Sequence, residues 1–282
     1  SVRGFLALAR RLLGTGYDLA ILPHRSFRSG LLARLAGVPL RVGFARGGAR
    51  WWCNRRVPRR TDRHDLERLA DLGAAAGVDV NPEDLRVEAS AASRRRAEAL
   101  FGEFGASSNA PVVGMAPGSE WATKRWPAER FAALAAALAG RGMQVALFGG
   151  AQDAALAREV ERLAGVPVAN LAGRVPQGDL AAAFSRLAAF VTNDSGPMHL
   201  AAFLRVPVVA IFGPTVPAFG YAPWPVGGTR HAVLGLDLPC RPCTPHGGAR
   251  CPIGTHECMT GLSVERVAAD VLSLVGPHTV RP

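Results

Sequence analysis

Lysine is nearly missing from this sequence. Lys124 is the one lysine in 282 residues, although Lys and Arg together number 33. A chain that meets every other need for positive charge with arginine keeps one compact ammonium, which points to a place where a guanidinium fork would not fit. Long apolar runs are missing too. None approaches the roughly 18–20 residues of a membrane-spanning helix, and the first residues lack the apolar core and small-residue cleavage site of a secretion signal. No G-x-G-x-x-G follows a strand, no G-x-x-x-x-G-K-[ST] occurs, and no G-x-S-x-G occurs. These absences argue against dinucleotide binding in the usual mode, an ordinary phosphate-binding P-loop and a hydrolase nucleophile elbow. No Asp-x-Asp pair is present to hold a divalent ion on a diphosphate. Any departing diphosphate must therefore be met by fixed protein charge.

What is present is an α/β pattern with a strongly basic balance, 49% hydrophobic and net charge +11. The arginines crowd residues 25–68: Arg25, Arg28, Arg34, Arg41, Arg46, Arg50, Arg55, Arg56, Arg59, Arg60, Arg63 and Arg68. Such a face attracts a polyanion, whether nucleic acid, anionic lipid head groups or a phosphorylated glycan. No aromatic-studded RNA motif or recognition helix accompanies it, so no nucleic acid is expected as partner. Four of the five cysteines are close together, Cys240, Cys243, Cys251 and Cys258, with His246 and His256 among them. Their spacing admits a structural zinc, disulfides or reduced thiols. Cys53 is expected to be a buried thiol.

Along the chain, a helix over 2–13, a strand over 18–23, a helix in "SFRSGLLARLAGVP" and a strand "RVGF" lead into the arginine-rich loop. A helix over 62–76 is expected to open on Thr61-Asp62 as cap. Another follows in "ASRRRAEALFGEFG", and "GASSNAP" (105–111) has the composition of a linker. From residue 112 apolar β-branched runs alternate with amphipathic helices, the signature of a parallel sheet covered on both faces. The expected domains are 1–104, a partial Rossmann-like domain with two or three strands, and 112–282, a nearly complete one.

Ligands of open parallel sheets lie beyond the carboxyl ends of the strands. Three polar loops leave such ends: "PGSEWATKRWP" (117–127), "GGAQD" (149–153) and Asn193 to His199. The N–H groups of Ser195 and Gly196 open a helix, where unpaired donors and the helix dipole favour a phosphate. Asp194 would repel that phosphate and suits a sugar hydroxyl. His199 and Lys124 add donors, and Asp153 is placed for ribose hydroxyls. Together these residues describe a diphosphate between two polyols, as in a nucleotide sugar. Trp126 is expected to pack under its loop while Pro127 starts the next helix.

The pair of motifs "PGSEWATKRWP" and "TNDSGPMHLAA…VPVVAIFGPT" resembles glycosyltransferase family 9, whose best-known members are ADP-heptose:lipopolysaccharide heptosyltransferases. The first motif looks closest to the heptosyltransferase II branch. The similarity runs from about "YDLAILPHRSFRSGLLARLAGVPLRVGF" through "CRPC…CPIGTHECM". It implies a GT-B fold, two Rossmann-like domains facing a central cleft with the N-terminal one incomplete here. It also implies inverting transfer of heptose from ADP-heptose to the inner core of lipopolysaccharide (Kdo-lipid A or its heptosylated form), with no cofactor or metal required. Donor binding then falls to Ser119, Lys124, Asp153, Val175, Asp194, Ser195, Gly196 and His199, with Lys124, Asp194 and His199 catalytic. Acceptor binding falls to the N-terminal domain, with Arg28, Arg55 and Arg56 as candidates. The setting would be cytoplasmic, in peripheral contact with the anionic inner membrane. Family members carry a general-base aspartate on a leading glycine loop. Asp18 does not match it, so the base is expected to lie upstream of Ser1. Two alternatives stay open: a non-catalytic nucleotide-sugar-binding fragment, and a GT-B enzyme with another donor or acceptor.

Overall fold

Alternating apolar and amphipathic stretches produce parallel sheets throughout residues 1–105 and 110–276, which the computed structural model describes. The chain divides into two units, Ser1 to Asp84 and Leu85 onward. No helix among the described residues is long and apolar enough to cross a membrane.

The first unit runs α1 (Val2–Thr15), β1 (Leu19–Leu22), α2 (Phe27–Leu35), β2 (Leu40–Phe44), β3 (Arg55–Val57) and α3 (Asp65–Ala75). Its three strands pair in parallel in the order β1-β2-β3, with Leu19 opposite Leu40 and Val42 opposite Arg55. Val42, Phe44 and Leu72 form the core. Cys53 is buried, as expected, in space left by Gly43, and burial pushes its thiol pKa up.

Two expectations need correction here. Helix α3 starts at Asp65 rather than at Thr61-Asp62, because His64 supplies the cap. The imidazole Nδ1 accepts the Leu66 N–H at 3.2 Å, and Glu67 Oε2 accepts the His64 N–H at 2.9 Å. The arginine-rich segment contains strand β3, and several of its arginines serve the fold. Arg41 Nε donates to Trp52 O at 2.6 Å. Arg68, 1% exposed, donates to the carbonyls of Arg60 and Thr61 and pairs with Asp65. Arg59 and Arg63 pair with Asp65 and Asp71. A guanidinium with several donors satisfies buried carbonyls that would otherwise be orphaned.

The second unit continues with α4 (Ala91–Glu103), β4 (Val112–Ala116), α5 (Ala128–Ala139), β5 (Gln144–Leu147), α6 (Ala154–Ala164), β6 (Ala169–Asn170) and α7 (Leu180–Phe184). It is completed by β7 (Ala189–Asn193), α8 (Gly196–Phe203), β8 (Val208–Ile211), β9 (Ala232–Leu234), α9 (Glu257–Thr260) and α10 (Val264–Val275). All six strands are parallel, in the order β6-β5-β4-β7-β8-β9. Period-two alternation sends Val113, Met115, Val191 and Val209 to one face, where α5, α6 and α10 cover them. Ala116, Phe190, Val208 and Ala210 face the other side, under α4, α7 and α8. Gly114 leaves that second face room for the edge-on cluster of Phe148, Phe184 and Phe190.

Helix α4 belongs to this unit, so the division falls before it rather than in the expected 105–111 linker, of which residues 106–109 lie outside the described residues. The reason is burial: Ala97 and Phe101 pack with Phe184 and Leu187. A bidentate pair reinforces the contact, Arg96 Nε to Asp179 Oδ2 at 2.7 Å and Nη2 to Oδ1 at 2.6 Å. The guanidinium, helped by the Ser93 hydroxyl, pulls the Asp179 pKa down to about 2. A carboxyl lowered in the folded state stabilises above its unfolded pKa and loses that contribution as pH falls toward the folded one. We expect Arg96→Ala to lower Tm at pH 7 by about 2–4 °C. The gap between wild type and variant should close in calorimetric scans between about pH 4 and pH 2.

Candidate functional site

Four parallel strands, β4 to β7, end on the same side of the second sheet, and their loops line one cavity of about 950 Å³. This is at the upper end of small-molecule sites. Its two ends differ in chemistry. One is apolar, floored by Phe148, Phe184, Leu180 and Val175 with Gln152 and Gln177 at its edge. The other is polar, lined by Ser119, Lys124, Asp194, Ser195 and Gly196. Asp153 also borders the cavity.

The polar end is built around an ion pair. Lys124 Nζ lies 2.6 Å from Asp194 Oδ2, with side chains 13% and 11% exposed. Thr215, just past β8, donates its hydroxyl to the same Oδ2 at 2.7 Å. Both contacts fall on one carboxylate oxygen. Ser195 is the N-cap of α8 with extended backbone, and Pro197 occupies the first turn, so the N–H groups that open the helix are those around Ser195 and Gly196. Thr192 and Ser195 hydroxyls are 3.2 Å apart.

The 117–127 loop is stapled by Asn193, the last residue of β7, which is fully buried. Asn193 Nδ2 donates to the carbonyls of Pro117 at 2.9 Å and Gly118 at 3.3 Å, while Oδ1 accepts the Trp126 N–H at 3.0 Å. Trp126 packs under the loop as expected, 1% exposed, with Nε1 on Leu262 O at 3.2 Å and its ring edge-on to Phe131. Pro127 is the N-cap of α5.

Asp153 sits at the tip of the β5 loop, where its Oδ2 accepts the Gly150 N–H at 2.9 Å. Glycines on two loops make its place. A Cβ at Gly118 would overlap Asp153 Oδ1, and one at Gly149 would come within 2.6 Å of its Cβ.

Seven of the eight residues expected to bind a donor thus line one cavity: Ser119, Lys124, Asp153, Val175, Asp194, Ser195 and Gly196. His199 does not. It borders a second cavity of about 220 Å³, with Thr215, Tyr221 and His246, that shares Lys124, Asp194, Ser195 and Gly196 with the first. Arg28, Arg55 and Arg56 are exposed in the other unit. Arg55 donates to Ala75 O at 2.8 Å and Arg56 to Cys53 O at 3.3 Å. Sequence reasoning missed Asn193, Thr215, Gly118 and Gly149. For Asn193 and Thr215 the signal was a polar residue at or just past the carboxyl end of a buried strand.

Cys240, Cys243, Cys251 and Cys258 are free thiols, and among the described residues no three His, Cys, Asp or Glu side chains are grouped to hold a metal ion. Cys243, Cys251 and Cys258 nevertheless border one small cavity together with His256. Cys258 is buried in the core with Met259, Cys243 points at Pro214 O, and burial raises both pKa values. Cys251 takes backbone N–H groups from His256 and Ile253, which lower its pKa, and the His256 ring bonds Thr123 O at 2.9 Å.

Comparisons with known proteins place the chain in a family. The profile of glycosyltransferase family 9 (heptosyltransferase) matches residues 5–249. Lipopolysaccharide heptosyltransferase 2 of Escherichia coli K12 is 34% identical over 218 residues, which cover 72% of this chain and 62% of that protein. The chain therefore spans less than two thirds of that curated relative. The crystal structure of the family 9 glycosyl transferase from Veillonella parvula superposes with a TM-score of 0.83 at 27% identity, covering 98% of this chain and 78% of that one. The structure of E. coli ADP-heptose lipopolysaccharide heptosyltransferase II gives 0.75 at 28% identity, covering 97% and 81%. With a family profile over most of its length and two parallel-sheet units that match GT-B relatives, the chain belongs to glycosyltransferase family 9.

Proposed function

We infer that this chain holds the donor in an enzyme that transfers a heptose from ADP-heptose to the inner core of lipopolysaccharide, inverting the anomeric carbon and using no metal ion on the diphosphate. The observation that supports this reading is the cavity at the strand tips, lined by apolar residues after β5 and β6 and by the Lys124–Asp194 pair and a helix N-terminus after β4 and β7. The adenine would lie on Phe148, Val175, Leu180 and Phe184, and the ribose hydroxyls would meet Asp153 Oδ1, since Oδ2 already serves Gly150. The diphosphate would meet Ser119, Lys124 and the amides at Ser195-Gly196. The sugar would reach Asp194 Oδ1 and the smaller cavity beside His199.

In the reaction a base on the acceptor side takes the acceptor hydroxyl proton while ADP leaves from the opposite face. The negative charge that grows on the β-phosphate is stabilised by Lys124, His199 and the helix N-terminus, groups fixed before the reaction begins. Arg28, Arg55 and Arg56 would meet the carboxylates and phosphates of the core acceptor at the cytosolic face of an anionic membrane.

Isothermal titration with ADP, UDP and GDP tests the donor. ADP is expected to bind most tightly, and Asp153→Ala to weaken it by about tenfold or more, since a charge-assisted hydrogen bond is removed. Tighter binding of UDP or GDP would assign the chain to a different donor.

A further inference from the structure

Lys124, Asp194, Ser195 and Gly196 are not alone at the seam between the two cavities: His246 also borders both. It comes from the cysteine-bearing loop after β9, not from any of the strand-tip loops that supply the other four. The loop is fixed to the Lys124 turn. Thr123 N–H and Oγ1 donate to Gly248 O at 3.1 and 2.9 Å, and Gly248 N–H donates to Thr123 Oγ1 at 2.8 Å. Gly247, with φ +97°, lies so close to Trp121 that a side chain there would collide with it. Thr244 Oγ1 takes the His246 N–H at 3.3 Å and donates to Gly247 O at 3.2 Å. His246 is therefore held in register with Lys124 while its ring stays exposed.

An anion that enters the seam meets an ammonium already paired with Asp194. The Lys124 charge is shared, so further donors are needed to hold the phosphate next to the sugar. Imidazole donates a hydrogen bond as neutral ring or as cation. We propose that His246 is a donor-binding residue that hydrogen-bonds the phosphate nearest the sugar of a nucleoside-diphosphate sugar. This rests on the donor reading above. It gives the cysteine-bearing loop a role in substrate recognition that does not depend on a metal.

The test compares ADP with AMP by isothermal titration, because AMP keeps the nucleoside and first phosphate but lacks the group that His246 would touch. In His246→Ala the ADP dissociation constant should rise about tenfold, with that for AMP changed by less than twofold. His246→Gln, which keeps a donor, should recover part of the loss. Unchanged ADP binding in His246→Ala overturns the proposal, as does an equal loss for ADP and AMP, which would mean general damage to the site. If the wild-type protein binds ADP no better than AMP, the diphosphate reading itself falls, a result visible before any variant is made.

Discussion

Wherever the acceptor's general base is supplied, Lys124→Ala is expected to lower kcat for heptosyl transfer by about 10²–10³, the usual cost of losing one preorganised donor to charge that develops in the transition state. Two roles are merged in this side chain. It neutralises Asp194 in the resting site, at 2.6 Å, and it would stabilise the leaving β-phosphate during reaction. The single variant removes both, and it leaves a largely buried carboxylate with only the Thr215 hydroxyl on Oδ2. A second variant separates them. Lys124→Ala combined with Asp194→Asn removes the unpaired charge, so thermal stability should return toward wild type while kcat stays low. Lys124→Arg should not restore the rate, because a planar fork does not replace a point charge held 2.6 Å from Asp194 Oδ2. Activity of Lys124→Ala within threefold of wild type would take the residue out of the mechanism.

The sequence foretold the second unit well because its inner strands β4, β5, β7 and β8 are buried on both faces, and burial of that kind leaves near-continuous apolar runs between helix signals. It also foretold most of the residues that line the larger cavity. Parallel strands force their carboxyl-end loops together, so loops separated by many residues can be assigned to one crevice without knowing the packing. Edge elements were the misses. Strands β3 and β9 each have three residues and a neighbour on one side only, so they carry too little apolar pattern to register. The start of α3 was misplaced because a histidine nitrogen did the work ordinarily given to a hydroxyl or carboxylate oxygen. The cysteine spacing left zinc, disulfides and reduced thiols open, since spacing along the chain does not reveal that Cys258 turns into the core while His256 turns toward Thr123. His246 was invisible as a donor contact for the same reason: only the folded loop brings it beside Lys124.

Asn193 carries the largest expected effect on stability. One fully buried amide holds both ends of the loop that presents Ser119 and Lys124: the carbonyls of Pro117 and Gly118 at its start and the Trp126 N–H at its end. Asn193→Ala removes all three bonds and leaves buried backbone donors and acceptors unpaired. At about 1–3 kcal/mol for each of the three orphaned groups, the loss should be at least about 3 kcal/mol in urea unfolding, a large part of the 5–15 kcal/mol that typically separates folded from unfolded chains. Asn193→Asp is the sharper variant. It has nearly the same shape and keeps an acceptor for Trp126, yet it sets a carboxylate against two carbonyl oxygens that need donors. It should therefore be at least as damaging as alanine at pH 7, although it preserves packing. A cost below about 1 kcal/mol for either variant would mean that the loop is held by Trp126 packing and the Thr123–Gly248 bonds instead. In that case ADP affinity should survive as well, because the position of Lys124 would not depend on the amide.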